Sequence, residues 1–431
     1  MRICFISRRY FPAVSGMSVY ARNLTKALAD LDHEVVMISQ YREDPTGVEV
    51  YGGGPPPDEP WMEVHGLRSV GEELGAESPP ADFEADLRAM VALAVELHEQ
   101  RPFDVVHAQY AYPTGLAALE VSRQLGIPNV VSIQGGDGHW VGACCKTHQR
   151  AMDAVLNHSL ALVIGCDSFR DEVVENHGTD PGRFTIVPGA TNVDQFTPRQ
   201  LEHPNLIDRV VRLGELRQPA RLLYHGRVDQ RKGSLDFIHC GARLVEDGYD
   251  IHLIVSGIGP DLEETRNLAL KLGLGSRCQF LGEADYADAP ARYHAGDIFL
   301  SPTYAEGFSN TILEAMASGL PIVSTRTVGV IDCLRDGENA LLVEPGGLDA
   351  LTTATRRLLD DEALRLDLTR TAYAEVREKY SWPVVAEQIA SIYHDLQKRP
   401  VDNDWTDIIT AAARVEDADA TCRFRTQPHL L

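Results

Sequence analysis

Short apolar runs alternate with longer amphipathic segments along nearly the whole chain. The apolar runs of the first half are predicted strands: RICFIS, EVVMIS, DVVHA, NVVSI, ALVIG and FTIVP. Those of the second half are ARLLYHG, IHLIVSG, CQFLG, DIFLSP, PIVST and ALLVEP. Between them lie segments with apolar residues spaced by three and four, among them SVYARNLTKALADL, PTGLAALEVSRQLG and SLDFIHCGARLVEDG. This alternation predicts an α/β protein whose parallel sheets are covered by helices on both faces.

The pattern restarts near residue 220, and a chain of 431 residues is too long for one ordinary core. We therefore predict two doubly wound domains, residues 1–200 and 201–380, with a ligand cleft between them. The segment QLEHPNLIDRVVRLGELRQPAR lacks strand character and is the predicted linker. The Gly/Pro-rich GGGPPPDEP, with the acidic region after it, is interpreted as a surface excursion from the first domain.

Charge and cysteine usage exclude some classes of partner. The net charge of −23 argues against nucleic acid, whose phosphates this surface would repel. Residues 41–100 carry 3 basic against 14 acidic residues, which disfavours strong association with an anionic membrane. The opening MRICFISRRYFP lacks the features of a signal peptide, and no apolar run reaches membrane-spanning length. The eight cysteines form no C-x-x-C pair, so reduced thiols in a cytoplasmic protein are expected.

Glycines and charges follow several predicted strands. Gly16, in FPAVSGMSVYARN, would let helix amides approach a ligand, although an ordinary turn explains this stretch equally well. In LLYHGRVDQRKG, Arg227 and Lys232 come just past a strand end, where two cations could neutralise a diphosphate. The alternative for these two is solvated charge in a turn. VSGIGP is a glycine turn that is weak evidence alone.

The stretch EGFSNTILEAMASGLP contains two glutamates, Glu306 and Glu314, with seven residues between them. An acid/base pair of a glycosidase would have to flank the scissile bond about 5–9.5 Å apart. Both glutamates approach from one element, so attack from opposite faces is implausible and a hydrolase is disfavoured. The helix begins after Glu306, and its entrance has free N–H groups and a positive dipole end that suit a phosphate. The entrance consists of Gly307, Phe308, Ser309 and Asn310.

Taken together, these motifs resemble the family-4 retaining glycosyltransferases of the GT-B fold, the glycosyl transferases group 1. GRVDQRKG resembles the family's Gly-Arg-…-Lys-Gly loop, GIGP its glycine turn, and EGFSNTILEAMASGLPIVST its Glu-x7-Glu signature. DGENALLVEPG and SWPVVAEQIASIYHDL are also similar to the family. The likeness covers the second domain almost end to end and the first more loosely. It implies two Rossmann-like domains facing a central cleft, with a helix over 381–398 that packs back on the first domain. The tail 399–431 has no assigned role.

The resemblance implies a role for each matching residue. Arg227 and Lys232 would bind the diphosphate of a nucleotide-sugar. Glu314 would accept hydrogen bonds from the ribose hydroxyls. Glu306 and the amides of 307–310 would hold the donor sugar and the distal phosphate.

The first domain departs from the family pattern. The resemblance implies that Gly16 belongs to the loop that approaches the phosphate, but Ser15 stands where the family has a second glycine. The family often has His-Gly-x-Asp after the strand NVVSI, whereas this chain has Gln134 in place of the histidine and Asp137 at the last position. Glutamine can hydrogen-bond a sugar hydroxyl but cannot take a proton. We expect Asp137 and Gln134 to orient the sugar or the acceptor, with a cap or turn role for Asp137 equally open. His139 could substitute for the missing histidine, although a surface histidine is the simpler interpretation.

The resemblance implies a retaining transfer from a nucleoside-diphosphate-sugar to a hydroxyl acceptor, a small molecule or a glycan, by front-face displacement. The two cations and the helix entrance would stabilise the departing phosphate, so neither a metal nor another cofactor is expected. The single Asp-x-Asp match, Asp417-Ala-Asp419, lies in the tail and is attributed to chance. Two alternatives stay open: a nucleotide-sugar epimerase of similar fold, and a non-catalytic protein that binds sugar nucleotides.

Overall fold

The computed structural model describes residues 1–41, 54–69, 83–142, 146–199, 214, 216–283 and 285–405. Its contacts divide the chain into two compact units. The first contains Met1–Pro188 and the residues from Val385 on, and the second contains Gly189–Val384. The domain bounds predicted from the sequence, 1–200 and 201–380, stay a prediction.

The first unit is built on a parallel sheet with seven strands in its described part, in the order β3-β2-β1-β4-β5-β6-β7. Its strands are β1 (Arg2–Ser7), β2 (Glu34–Tyr41), β3 (Met62–Arg68), β4 (Val105–Gln109), β5 (Asn129–Ile133), β6 (Ala161–Ile164) and β7 (Phe184–Ile186). Its helices are α1 (Gly16–Asp30), α2 (Phe83–Gln100), α3 (Leu116–Leu125), α4 (Gly136–His139), α5 (Lys146–His158) and α6 (Asp167–His177). The central strands are buried along their whole length, as expected for a sheet with both faces covered.

The second unit repeats this plan with six strands in the described residues, in the order β10-β9-β8-β11-β12-β13. Its strands are β8 (Ala220–His225), β9 (Ile251–Ser256), β10 (Cys278–Gly282), β11 (Ile298–Ser301), β12 (Ile322–Thr325) and β13 (Leu341–Val343). Its helices are α7 (Ser234–Glu246), α8 (Leu262–Lys271), α9 (Ala289–Ala295), α10 (Asn310–Ala317), α11 (Leu348–Asp360) and α12 (Glu362–Lys379). The strand order reverses between β8 and β11, and ligands of such sheets bind beyond the strand ends at this switch point.

The last described helix, α13 (Trp382–Leu396), contains the point at which the chain passes from the second unit to the first. Within the first unit, Tyr393 of this helix contacts the central strand β4, where its Oη lies 2.5 Å from His107 Nδ1. The other ring nitrogen of His107 lies 2.7 Å from Ser132 Oγ of β5. Burial lowers the pKa of His107 to about 3, so the imidazole is neutral and serves as a hydrogen-bonding core residue.

The apolar runs predicted as strands are all strands in the structure, which confirms the parallel α/β prediction. The prediction of a surface excursion is wrong for the acidic region that follows GGGPPPDEP. Residues Met62–Arg68 form β3 at the edge of the first sheet, where they pair with β2, and Phe83–Gln100 form α2. The edge strand MEVHGLR escaped the apolar pattern because only Met62 in it is buried and polar residues interrupt its apolar ones.

The structure also bears on membrane-spanning helices and on the cysteines. No helix in the described part of the chain is long and apolar enough to cross a bilayer. The five cysteines of the described residues, Cys4, Cys166, Cys240, Cys278 and Cys333, are free thiols. The predicted linker, apart from Gly214 and residues 216–221, lies outside the described residues, as does the tail from 406 on with Asp417-Ala-Asp419.

Candidate active site

Two loops at the switch point of the second sheet carry the predicted diphosphate site. The loop after β8 contains Arg227, and the loop after β11 leads to Glu306. The glycine turn after β9 packs against the first of these loops, where Val228 N donates to Ile258 O at 2.9 Å. A Cβ on Gly257 would lie 1.9 Å from Gly226 O, and one on Gly259 would lie 2.2 Å from Val228 O. Both positions therefore exclude any side chain, which explains the glycines of VSGIGP.

Asp229 organises the loop that presents the two predicted phosphate-binding cations. Its buried carboxylate accepts a hydrogen bond from Lys232 N at 3.0 Å and so caps a 3-10 turn over Gln230–Lys232. The same carboxylate lies 3.1 Å from Arg227 Nε and 3.2 Å from Arg231 Nη2. Asp229 thus contacts the side chains of Arg227 and Arg231 and the backbone of Lys232 within one short segment.

The structure pairs two residues to which the sequence assigned separate roles. Lys232 Nζ lies 2.8 Å from Glu306 Oε1 and donates to Ala305 O at 2.9 Å. The predicted phosphate cation and the predicted sugar-binding carboxylate are therefore neighbours, although 73 positions separate Lys232 from Ala305. This ion pair was not predicted, because nothing local in either motif indicates it.

The helix entrance predicted as a phosphate site is the beginning of α10. Ser309 is the N-cap, yet its side chain makes no capping hydrogen bond, and its Oγ lies 3.2 Å from Thr311 Oγ1. The helical ladder starts with Leu313 N donating to Ser309 O, so the amides of Asn310 and Thr311 precede it. Phe308 packs against Tyr380, with ring centroids 5.7 Å apart, so its ring has a packing role.

Glu314 lies within α10 and is buried, unlike Glu306 in the loop before it. Its Oε2 accepts a hydrogen bond from Tyr293 Oη at 2.5 Å. Burial raises the pKa of Glu314 to about 7, against the lowering effect of the Tyr293 hydrogen bond. The two glutamates therefore have different environments on a single segment.

In the first unit, Asp137 joins two loops at the strand ends. Its buried carboxylate accepts hydrogen bonds from Gly135 N at 2.8 Å, Gln134 N at 3.2 Å and Ala111 N at 2.9 Å. Burial raises the pKa of Asp137 although these N–H groups lower it. The carboxylate thus fastens the loop after β5 to the loop after β4, which is the turn role left open above. Its predicted catalytic role stays a prediction.

Gln134 belongs to a chain of side-chain hydrogen bonds at the ends of three strands. Its Oε1 accepts from Gln109 Nε2 at 2.7 Å, and Gln109 Oε1 accepts from Ser7 Oγ at 2.6 Å. Gln109 Nε2 also donates to Met17 O at 3.0 Å, and Tyr20 hydrogen-bonds Gln134. Gln109, Ser7 and Tyr20 were not predicted. For Ser7 and Gln109 the signal is a polar residue at the end of an otherwise apolar strand, whereas Tyr20 lies within α1 and has no such signal.

The remaining first-unit residues have local partners. His139 Nδ1 lies 2.7 Å from Glu172 Oε1, and its ring packs on Phe169. Gly16 is the exposed first residue of α1. Ser15 caps that helix through a reciprocal pair of hydrogen bonds with Ser18. Ser15 has φ −151° and ψ 166°, which is ordinary extended backbone, so this position does not require the family's glycine.

The described residues contain no group of three His, Cys, Asp or Glu side chains that could hold a metal ion. A model of the glycosyl transferases group 1 matches residues 211–375, and a glycosyl transferase 4-like domain matches residues 15–190. The first match lies within the second unit, and the second match covers most of the first unit.

Relatives and solved structures cover nearly the whole chain. Glycogen synthase of Mycobacterium tuberculosis (strain ATCC 25618 / H37Rv) is 27% identical over 91% of this chain and 94% of its own. D-inositol 3-phosphate glycosyltransferase of Corynebacterium diphtheriae is 25% identical over 92% of this chain and 95% of its own. Sucrose-phosphate synthase from Thermosynechococcus elongatus superposes with a TM-score of 0.72 at 23% identity, covering 92% and 98%. Anabaena HepE in complex with UDP-glucose superposes with a TM-score of 0.67 at 17% sequence identity, and the match covers 92% of this chain and 100% of HepE.

These findings define an enzyme that transfers sugar, with two Rossmann-like domains of the GT-B fold. The chain belongs to the group 1 glycosyltransferases of the family-4 type.

Proposed function

We propose that the enzyme is a retaining glycosyltransferase that takes a nucleoside-diphosphate-sugar as donor and a hydroxyl group of a small molecule or glycan as acceptor. One observation carries the donor assignment. Asp229 holds the Arg227 guanidinium and caps the turn that carries Lys232, and Lys232 pairs with Glu306 in the loop that leads to α10. Two cations next to a helix N-terminus favour a diphosphate, and an adjacent carboxylate can accept hydrogen bonds from sugar hydroxyls.

In the proposed reaction the bond between the anomeric carbon and the phosphate oxygen breaks, and a bond from that carbon to the acceptor oxygen forms on the same face. The acceptor proton passes to the departing phosphate oxygen. Arg227, Lys232 and the amides at the start of α10 would stabilise the charge that develops on this phosphate. With that stabilisation supplied by the chain, no metal or other cofactor is assigned a step.

Gln134 and Asp137 are proposed to orient the sugar or acceptor rather than to move a proton. Gln134 has no titratable group, and the Asp137 carboxylate already accepts three backbone N–H groups. A proton acceptor at this position is therefore not needed if the phosphate takes the proton.

The donor site is tested by calorimetry with nucleoside diphosphates, after a thermal-shift screen has identified the preferred base. Arg227→Ala and Lys232→Ala should each weaken binding about 10- to 100-fold, because each removes a charge-assisted hydrogen bond. Arg231→Ala is the matched control, since Arg231 lies in the same turn and also contacts Asp229. Unchanged affinity in both test variants would refute the diphosphate assignment.

Two further measurements separate the alternatives. A labelled donor incubated without acceptor would be converted to a second nucleotide-sugar by an epimerase, whereas a transferase yields only slow hydrolysis. Hydrolysis by the wild-type enzyme that is lost in Glu306→Ala would also count against a non-catalytic binding protein.

A further inference from the structure

Tyr293 of α9 is the residue that fixes the buried carboxylate of Glu314. Its ring is fully buried among aromatic rings, with centroid distances of 5.6 Å to Phe196, 5.9 Å to Phe299 and 4.9 Å to His225. Its hydroxyl donates to Glu314 Oε2 at 2.5 Å and also approaches Thr311 O at 3.3 Å. The aromatic packing leaves this hydroxyl little freedom, so it defines the orientation of the carboxylate.

A buried carboxylate needs several donors to remain ionised. Within the described residues, Tyr293 is the one group whose hydrogen bond favours the ionised form of Glu314. One tyrosine hydroxyl occupies one carboxylate oxygen and leaves acceptor capacity for additional donors. The two adjacent hydroxyls of a ribose are donors of this kind.

We propose that Tyr293 is a positioning residue for the donor: it turns the Glu314 carboxylate toward the ribose hydroxyls, and nucleotide-sugar binding then releases the proton that Glu314 holds. This inference rests on the proposed function, which places the ribose at Glu314. It adds a residue that no motif contains and a link between donor binding and pH.

The direction of the pH effect follows from the ionisation of Glu314. Burial raises its pKa to about 7, so near neutral pH the carboxyl group is about half protonated. The ionised form is the better acceptor for Tyr293 and both ribose hydroxyls, because its two oxygens offer about four acceptor positions and charge strengthens each bond. Donor affinity should therefore rise as the pH increases through 7 and level off above about pH 8.

The titratable and charged groups on the elements near α10 either have pKa values shifted out of this window or are bound by other partners. Burial lowers the pKa of His225 to about 4, and burial raises the pKa of Tyr293 well above its ordinary value. Arg292 donates to the carbonyls of Leu281 and Glu283. On α12, Arg365 donates to backbone carbonyls, and Glu375 is bound by Arg335, Asn339 and Lys379. Lys232 and Glu306, in the segments before α10, are paired with each other.

The test is the dissociation constant of UDP-glucose from pH 6 to 9.5, or of ADP-glucose if the screen selects it. A nucleotide-sugar is used because its diphosphate, unlike a terminal phosphate, has no second ionisation near pH 6. In Tyr293→Phe the midpoint of the profile should move up by about one pH unit. Affinity should then be about fivefold weaker at pH 7 and within about twofold of wild type at pH 9.5. Glu314→Gln should have a flat profile.

Tyr249→Phe is the matched control, because the Tyr249 hydroxyl also donates to a carboxylate, Asp360 Oδ2 at 2.7 Å, on the surface of the same unit. The pH profile of Tyr249→Phe should equal that of the wild type.

A wild-type midpoint in the pH profile of a folded Tyr293→Phe variant would overturn the inference. If Tyr293→Phe does not fold, calorimetry of the wild type in two buffers of different ionisation enthalpy decides. Release of about half a proton at pH 7 and almost none at pH 9 supports the inference, and no release at pH 7 overturns it. If no nucleotide-sugar binds the wild type, the proposed function itself fails.

Discussion

The contact between Lys232 and Glu306 brings together the proposed phosphate-binding cation and the proposed sugar-binding carboxylate. The ammonium and carboxylate groups are 2.8 Å apart, and both are partly accessible to solvent. A diphosphate would compete with the Glu306 carboxylate for the same cation, so Glu306 opposes binding of the bare nucleotide. The carboxylate is retained, on the proposed function, because a donor sugar also supplies hydroxyl groups for it to bind. Glu306 should therefore favour the complete donor over the nucleoside diphosphate product.

Glu306→Gln tests this selectivity. The loss of the competing charge should raise the affinity for UDP by up to about fivefold, which corresponds to a partly exposed ion pair of about 1 kcal/mol. The sugar-transfer rate should fall, because a weaker acceptor would hold the donor sugar. Calorimetry with UDP and a turnover assay measure the two effects. Glu344→Gln, an exposed acid of the same unit, is the control for the charge change. Weaker UDP binding by Glu306→Gln would contradict the competition.

The residues of the predicted donor motifs could be proposed from the sequence, but their hydrogen-bond and ion-pair partners could not. Arg227, Lys232, Glu306 and Glu314 stand in recognisable local contexts, whereas Tyr293 lies 21 positions before the glutamate it binds. Gln109 likewise lies 25 positions before Gln134. A hydrogen bond of this kind depends on which elements become neighbours in the sheet, and one sequence contains no local signal for that.

Among the elements, the loops after β8 and β9 depend on each other. Their contact is backbone against backbone, since the Cβ of any residue at position 257 would overlap Gly226 O. Gly257 also has φ +132°, a conformation that other residues rarely adopt. Close packing at this point sets the path of the loop that carries Arg227.

Gly257→Ala should destabilise the protein and displace this loop. Gly248→Ala is the matched control, because Gly248 also has a positive φ, +91°, but has nothing within 4 Å of the added Cβ. Backbone strain of about 1–2 kcal/mol is common to both variants, and overpacking should cost Gly257→Ala about 1–3 kcal/mol more. Urea denaturation measures the difference, and the thermal shift caused by UDP should be reduced in Gly257→Ala alone. Equal losses of stability in the two variants would show that the contact is unimportant.

The elements themselves could mostly be predicted, because central strands of a parallel sheet are buried on both faces and therefore continuous in apolar residues. The strand β3 could not, because this edge strand is only partly buried and Glu63, His65 and Arg68 interrupt its apolar residues. The start of α10 could be predicted from Ser309 and Asn310 before an apolar run. That Ser309 leaves its capping position unused is a tertiary detail that the run does not contain.

At the scale of the whole molecule, acidic surface and buried titratable groups act on stability in different ways. The net charge of −23 is spread over a surface where salt screens it. Salt screens the buried groups much less, and burial shifts their pKa values in opposite directions. Burial lowers the pKa values of His107 to about 3 and of His225 to about 4, and it raises that of Glu314 to about 7.

These shifts predict how the stability of the second unit varies with pH. His225 binds a proton more readily in the unfolded protein than in the folded one. Its contribution to the free energy of unfolding is therefore complete above pH 6.5 and is lost as the pH falls toward 4. Glu314 holds a proton more readily when folded, so its contribution is present below pH 4.5 and is lost as the pH rises toward 7. Between pH 4.5 and 6.5 the two effects oppose each other, and the wild-type free energy of unfolding should change little through them.

Glu314→Gln removes one side of this balance. The variant should gain stability relative to the wild type by about 1.4 kcal/mol per pH unit from pH 5 toward 7, and the gain should stop above about pH 8. Hydrogen exchange of peptides from β8 and α10 in a series of urea concentrations measures the unit that contains both groups, which matters because two compact units need not unfold together. Glu344→Gln should follow the wild type throughout. A Glu314→Gln variant whose stability runs parallel to the wild type would show that Glu314 does not hold a proton in the folded protein near neutral pH, and the coupling of donor binding to proton release would fail with it.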